Sequence, residues 1–221
     1  MLAEASGVSD ARALITPVCF PDPLAPLVAS QRAGRAIDWR AIRTAFQALS
    51  RRHPLMIVEG IGGLLVPLSD RRTVVDLIRL LCLPIVIVSR LRLGTLNHTL
   101  LTVTHAQREG LTVLGVILNA SEPPSASSEA RLAEATNPDT LRRLLSVPLL
   151  GVLPHRRGVA GERGKRAQAT LAEWVGTHLD PHFLMRLEAR GNGRCSRRML
   201  TGPGNSRQRE RPARAGRIDS L

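Results

Sequence analysis

Three apolar runs in this sequence each hand over, at their C-terminal end, to residues that can do chemistry. The first, Leu55-Met56-Ile57-Val58, ends abruptly at Glu59-Gly60-Ile61-Gly62-Gly63. A carboxylate at the tip of a buried hydrophobic strand is costly unless it coordinates a cation or accepts hydrogen bonds. Three glycines in the next four positions let the backbone approach a ligand closely and offer N–H groups to anionic oxygen. A hydrophobic strand with a terminal acid has the shape of a Walker-B element, whose carboxylate holds Mg²⁺ on a nucleotide. A plain glycine turn with a capping glutamate fits the same residues. The second run, Pro84 to Val88, leads into Ser89-Arg90-Leu91-Arg92-Leu93-Gly94-Thr95-Leu96-Asn97-His98. This loop opens a helix whose free N–H groups and dipole suit a carboxylate or phosphate, and the arginines add positive charge. His98 has no His, Cys or acid at metal-ligand spacing and reads as a packed or hydrogen-bonded histidine. The third run, Val113 to Leu118, ends at Asn119-Ala120. An amide there can recognise a base through its paired donor and acceptor, or serve as turn chemistry.

These residues need a frame, and the hydrophobic periodicity supplies one. Residues 1–37 read as loop, with Pro17, Pro21, Pro23 and Pro26 too close for a helix or a central strand. Asp38 is an N-cap for a helix to about Arg52, with Ile42, Ala45, Phe46 and Leu49 on one face. The runs at Leu55 to Val58, Pro84 to Val88, Val113 to Leu118 and Leu149 to Leu153 read as buried strands. Thr73 to Leu81, Leu96 to Glu109, Asn137 to Leu145 and Arg166 to His178 are helical in pattern. Continuous apolar strands alternating with helices predict an α/β fold with a parallel sheet covered on both faces. Ligands bind beyond the carboxyl ends of strands in such sheets. No internal repeat is visible.

Composition sets the outer limits. A length of 221 residues, 43% hydrophobic and 22% charged, suits one globular domain with a tail. No apolar run is long enough to span a bilayer, and no basic-then-apolar leader is present, so membrane insertion and Sec secretion drop out. Cys19, Cys82 and Cys195 form no CxxC pair and no even disulfide framework, which points to the cytoplasm. The net charge of +13 is concentrated at the C-terminus, where residues 186–221 hold ten arginines against Glu188, Glu210 and Asp219. That segment has no Phe, Trp or Tyr and reads as a disordered, solvated appendage after a domain spanning residues 1–185. It has no aromatic ring on which a base could stack, so nucleic acid is not the expected partner. Lys165 is the only lysine in the chain.

The blocks together carry a family resemblance from Ile15 to Arg156. Pro23-Leu24-Ala25-Pro26, the run from Val58 to Leu68 (VEGIGGLLVPL), Leu93 to Thr102 (LGTLNHTLLT), Gly115 to Asn119 (GVILN) and Pro148 to Pro154 (PLLGVLP) resemble dethiobiotin synthetase in order and spacing. The resemblance implies an ATP-dependent ligase of biotin synthesis. Such enzymes join CO₂ to 7,8-diaminononanoate, phosphorylate the carbamate with ATP, and close a cyclic urea with loss of phosphate. It implies Mg²⁺ on Glu59, with Gly60, Ile61 and Gly62 beside the phosphates and carbamate. It further implies that Asn119 and Ala120 hold the adenine with help from Pro154, His155 and Arg156. Gly62, Leu93, Gly94 and Asn97 would contact the substrate, its distal carboxylate lying at the start of the helix across a homodimer interface.

The family also opens with a strand, a P-loop bearing Lys-Thr, a helix and a second lysine on the carbamate, and none of these precedes Met1-Leu2-Ala3-Glu4. The look-alike from Gly158 to Arg166 has one residue too many before Gly164-Lys165, and Arg where Ser or Thr should hold Mg²⁺. The expected fold is therefore a three-layer sheet of the P-loop NTPase type without its first strand and P-loop, and turnover by this chain alone is expected to be negligible. Two rivals stand beside this reading. One is a nucleotide-dead remnant, or a subunit complementing a separately encoded P-loop half. The other is a fragment of a cobyrinic acid a,c-diamide synthase-like enzyme, whose amidotransferase cysteine neither Cys195 nor the tail supplies.

Overall fold

Apolar runs separated by amphipathic helices are best buried as a parallel sheet with helices across its faces, and the computed structural model, which describes residues 6–157 and 165–183, has that form. In chain order the elements are α1 (Arg12–Ile15), α2 (Pro26–Arg32), α3 (Trp39–Ser50), β1 (Pro67–Ser69), β2 (Arg72–Thr73), α4 (Val74–Leu81), β3 (Ile85–Arg90), α5 (Thr95–Arg108), β4 (Val113–Asn119), α6 (Ser128–Leu144), β5 (Leu149–Leu153) and α7 (Lys165–Gly176). Strands β3, β4 and β5 form a parallel sheet with β4 in the middle, and β1 pairs antiparallel with β2. No helix among the described residues is long and apolar enough to cross a membrane.

Strand periodicity sorts the core onto the two faces. Val116 and Leu118 of β4 join Ile87, Val103 of α5 and Leu141 of α6 in one cluster. Ile117, between them in sequence, points the other way and packs with Leu150 and Phe183. Because β4 is buried on both sides, its sequence is continuously apolar and does not alternate. Gly115 lets β5 close in, since a Cβ there would lie 2.6 Å from Leu150 Cγ and from the Pro148 carbonyl oxygen. Beyond β5 the chain turns back, and Leu179 bridges Gly151 while the Asp180 amide donates to the Leu150 carbonyl at 2.7 Å.

Local signals account for the helix starts. The Asp38 carboxylate accepts from the Ala41 amide at 2.8 Å, and Asp76 accepts from the Thr73 amide at 2.7 Å. Ser127 caps α6 by accepting from the Ala130 amide at 3.1 Å.

Several expectations are corrected. Residues 55–58 are not a buried strand. They run without regular structure, with Leu55 and Val58 exposed and Ile57 83% exposed. A strand exists only through its pairing, and no ladder partner flanks this run among the described residues. The 1–37 region is not all loop, because α1 and α2 lie in it. Pro26 occupies the first turn of α2, where the missing N–H costs nothing. Helix α6 begins at Ser128, nine residues before the expected Asn137, and takes Pro138 into its interior. The short hairpin β1–β2 was not foreseen. The tail at 186–221 with its cysteine, and the look-alike glycines at 158–164, lie outside the described residues.

Leu118 is fully buried, whereas Leu132 on α6 is 65% exposed. Chemical denaturation is expected to show that Leu118→Ala costs about 2–5 kcal/mol, and that Leu132→Ala changes stability by no more than about 0.5 kcal/mol.

Candidate functional site

The ladder brings three strand ends into line. Arg90 pairs with Asn119, and Asn119 in turn pairs with Leu153. Two backbone bonds extend the alignment, from the Leu91 amide to the Asn119 carbonyl at 3.1 Å and from the Ala120 amide to the Leu153 carbonyl at 2.8 Å. Asn119, Ala120 and Pro154 are thereby neighbours at the carboxyl edge of the sheet, with His155 and Arg156 following. The Arg156 guanidinium lies over the Trp174 ring, 5.6 Å from its centroid, which ties this turn to α7.

The chain leaving β3 turns at Gly94, whose φ of 91° suits glycine, and enters α5. No side chain caps this helix, so the first-turn amides of Leu96 and Asn97 are left for solvent or ligand. Leu93 and Asn97 are exposed beside them. The turn is fixed from below by hydroxyls: Thr95 and Thr99 are buried, their Oγ1 atoms 3.3 Å apart, and Thr99 donates to Ser89 Oγ at 3.0 Å. His98, read as a packed or hydrogen-bonded histidine, is not packed but exposed, because the turn buries Thr95 and Thr99 and leaves His98 outside.

Arg92 is not the free positive charge its sequence suggests. Its guanidinium donates to Ser125 Oγ at 2.5 Å, Glu134 Oε1 at 2.6 Å, Glu122 Oε2 at 2.9 Å and the Pro123 carbonyl at 2.7 Å. Ser125 also donates to Glu134 Oε1, at 2.5 Å, and buried Asn137 donates its amide to the Arg92 carbonyl at 3.3 Å. Hydrogen bonds from Ser125, then the Arg92 guanidinium, hold the Glu134 carboxyl below the usual carboxylate range. The Glu134 carboxylate in turn raises Arg92. Partners 30 to 45 residues away carry no signal in local spacing, so this cluster is invisible to sequence reasoning.

The glycine segment is held elsewhere. Gly62 has φ 68°, and a Cβ on it would lie 2.8 Å from Val66 Cγ2. The Val66 amide donates to the Gly63 carbonyl at 3.0 Å, and the Val74 and Val75 amides donate to the Val66 and Leu64 carbonyls, both at 3.2 Å. The turn is thus fastened to the start of α4. Glu59 and Ile61 are exposed, and Glu59 follows irregular chain, not the tip of a strand. A second unforeseen cluster anchors the approach to this segment: Asp10 accepts from Arg52 at 2.9 Å and meets His53 Nε2 at 2.6 Å. Arg52, then His53, hold the Asp10 carboxyl below its usual range. Among the described residues no three His, Cys, Asp or Glu side chains gather into a metal site. Glu59 supplies one hard carboxylate, a donor set that fits a cation sharing its ligands with phosphate oxygens and does not fit a cage built from protein alone.

A family model described as an AAA domain matches residues 1–163. Among curated proteins, the chain is 40% identical over 162 residues to an ATP-dependent dethiobiotin synthetase, BioD, of Thermodesulfovibrio yellowstonii, covering 70% of this chain and 66% of that protein. It is 44% identical over 140 residues to a BioD of Bacillus licheniformis, covering 63% and 57%. With BioD of Bacillus subtilis strain 168 the identity is 37% over 186 residues, covering 84% and 75%. The chain therefore spans less than two thirds of the length of the first two of these relatives.

The lowered Glu134 carboxyl fixes a pH dependence. Its charged form is favoured by folding, so the stabilisation is present above the unfolded value of about 4.3 and disappears as pH falls through the lower folded value. Glu134→Gln is expected to melt below the wild type at pH 7, and the gap is expected to narrow on acidification to about pH 3. Thermal melts at the two pH values check this.

Proposed function

Since the chain belongs to the family of ATP-dependent dethiobiotin synthetases, we propose that it takes part in the ATP- and Mg²⁺-dependent closure of a cyclic urea from 7,8-diaminononanoate and CO₂. The observation that carries this reading is the alignment of Asn119, Ala120 and Pro154 beside the uncapped start of α5. One edge of one sheet thus offers an amide suited to a base and helix N–H groups suited to a carboxylate.

In this reading Asn119 and Ala120, with Pro154, His155 and Arg156, hold the adenine ring. Leu93, Gly94 and Asn97 frame the amides that receive the distal carboxylate of the diamine, and Gly62 lies on the substrate side of the phosphates. Glu59, beside Gly60 and Ile61, would hold Mg²⁺, which neutralises charge on the phosphates when bound. The chain's part in the reaction is positioning: an amine that has taken up CO₂ as a carbamate must meet the γ-phosphate. The second amine must then reach the activated carbonyl as phosphate leaves. The reaction consumes one ATP and yields ADP, phosphate and the cyclic urea. A homodimer that completes the carboxylate site and a cytoplasmic setting belong to the same reading.

The 221 residues hold one lysine, Lys165, and no GxxxxGK[S/T]. Loss of a single preorganised donor to a developing charge lowers rate by about 10²–10³. Purified chain given ATP, Mg²⁺, bicarbonate and the diamine is therefore expected to release no dethiobiotin above background. Fusion of a strand–GxxxxGKT–helix segment to its N-terminus is expected to bring turnover, and comparable turnover without the segment would refute the expectation. In the fused protein Asn119→Ala is expected to raise the KM for ATP about tenfold or more, the value of one lost pair of hydrogen bonds, with the KM for the diamine little changed.

A further inference from the structure

We propose that Arg92 is a positioning residue that makes the loops after β3 and β4 move as one body, so that occupation of the base site at Asn119 and of the carboxylate site at the start of α5 favour each other. The inference rests on the function proposed above, since it takes its two sites from there.

Its basis is the geometry of a single side chain. Arg92 stands one residue before Leu93, in the four-residue connection that ends at Gly94. Its carbonyl accepts from the Thr95 amide at 3.1 Å, so its backbone shapes the first turn of α5. Its guanidinium is committed to the other loop, with four acceptor atoms on Glu122, Pro123, Ser125 and Glu134. Three of these residues belong to the segment that leaves Asn119 and Ala120, and the fourth, Glu134, is on α6. Asn137, one turn further along α6, binds the Arg92 carbonyl, so the helix grips both ends of the same residue. The planar fork of an arginine can satisfy several acceptors in fixed directions at once, which a lysine cannot.

Among the described residues the backbones of the two loops are joined at their roots, through the Leu91 to Asn119 bond. A ligand that orders the 119–126 loop would, through Arg92, order the approach to α5 as well. The second ligand then meets a site already arranged, which is positive coupling. Arg92 touches neither ligand in this account.

The test is equilibrium binding to the full chain of Mg-ADP and of 7,8-diaminononanoate, each alone and with the other saturating, beside thermal melts. The wild type is expected to show mutual tightening of about 5-fold or more, equal in the two directions. Arg92→Ala is expected to abolish the tightening. Arg92→Lys is expected to recover most of the melting temperature without recovering the coupling, a split that a merely structural role would not produce. Should Arg92→Ala fail to fold, Glu122→Gln with Ser125→Ala removes two partners and is expected to reduce the coupling in a folded protein. Coupling retained in the alanine variant, fully restored by lysine, or unaffected by the loss of both partners would overturn the inference. So would a wild type that binds both ligands independently, with the proposed function left standing. A wild type that binds neither ligand would overturn the function and the inference together.

Discussion

Parallel strands present their carboxyl ends at one edge only if each keeps step with its neighbours, and a slip of one residue turns every side chain to the opposite face. In this molecule that step is enforced by β4. Val116 and Leu118 fill one face and Ile117 the other, so a slipped β4 would drive three buried side chains into the wrong cores. Gly115 adds a second restraint, because it admits the Leu150 side chain and the Pro148 carbonyl where any larger residue would hold β5 away. The line Arg90–Asn119–Leu153, and with it every contact between the loops beyond, follows from this packing.

Above the sheet a different kind of interaction takes over. The loops after β3 and β4 contain little apolar side chain that could pack them together: Leu93 is exposed, and the 121–124 stretch is exposed throughout. Order there comes from charge and hydrogen bonds gathered on Arg92, and from the buried hydroxyls of Thr95 and Thr99 under the turn. An ion pair between exposed side chains is worth little. This one is partly shielded, with Glu134 13% exposed, and each partner has a further hydrogen bond to a neighbour. Such a cluster fixes geometry more than it adds stability.

The sequence made the central strands and most helices plain, because periodicity, caps and strand-length apolar runs are local features. Asp38, Thr73 and the runs ending at Val88, Leu118 and Leu153 are read directly from neighbouring residues, and the structure extends the first two runs to Arg90 and Asn119. What it hid depends on partners far along the chain. The 55–58 run is as apolar as the true strands, but composition does not say whether another strand will lie beside it. The start of α6 was obscured by Pro138, which ordinarily ends a helix, and by a polar first half without an apolar stripe. Of the candidate site, the strand-end residues Asn119 and Pro154 and the turn at Gly94 were legible from their place after strands. The use of Arg92 was not: two arginines two residues apart look alike in sequence, and only folding gives one of them Glu122 and Glu134.

The two borders of the sheet are unlike. Beside β5 the returning chain closes the ladder, through the Gly151–Leu179 bridge and the Asp180 amide, and a Cβ on Gly151 would lie 2.2 Å from the His178 carbonyl oxygen. Beside β3 no strand follows among the described residues, and Val88 is left 62% exposed. On β3 the one charged side chain, Arg90, stands at the C-terminal end. Unpaired strand edges recruit other strands, so among the described residues it is the β3 border, not the β5 border, that can take a further strand.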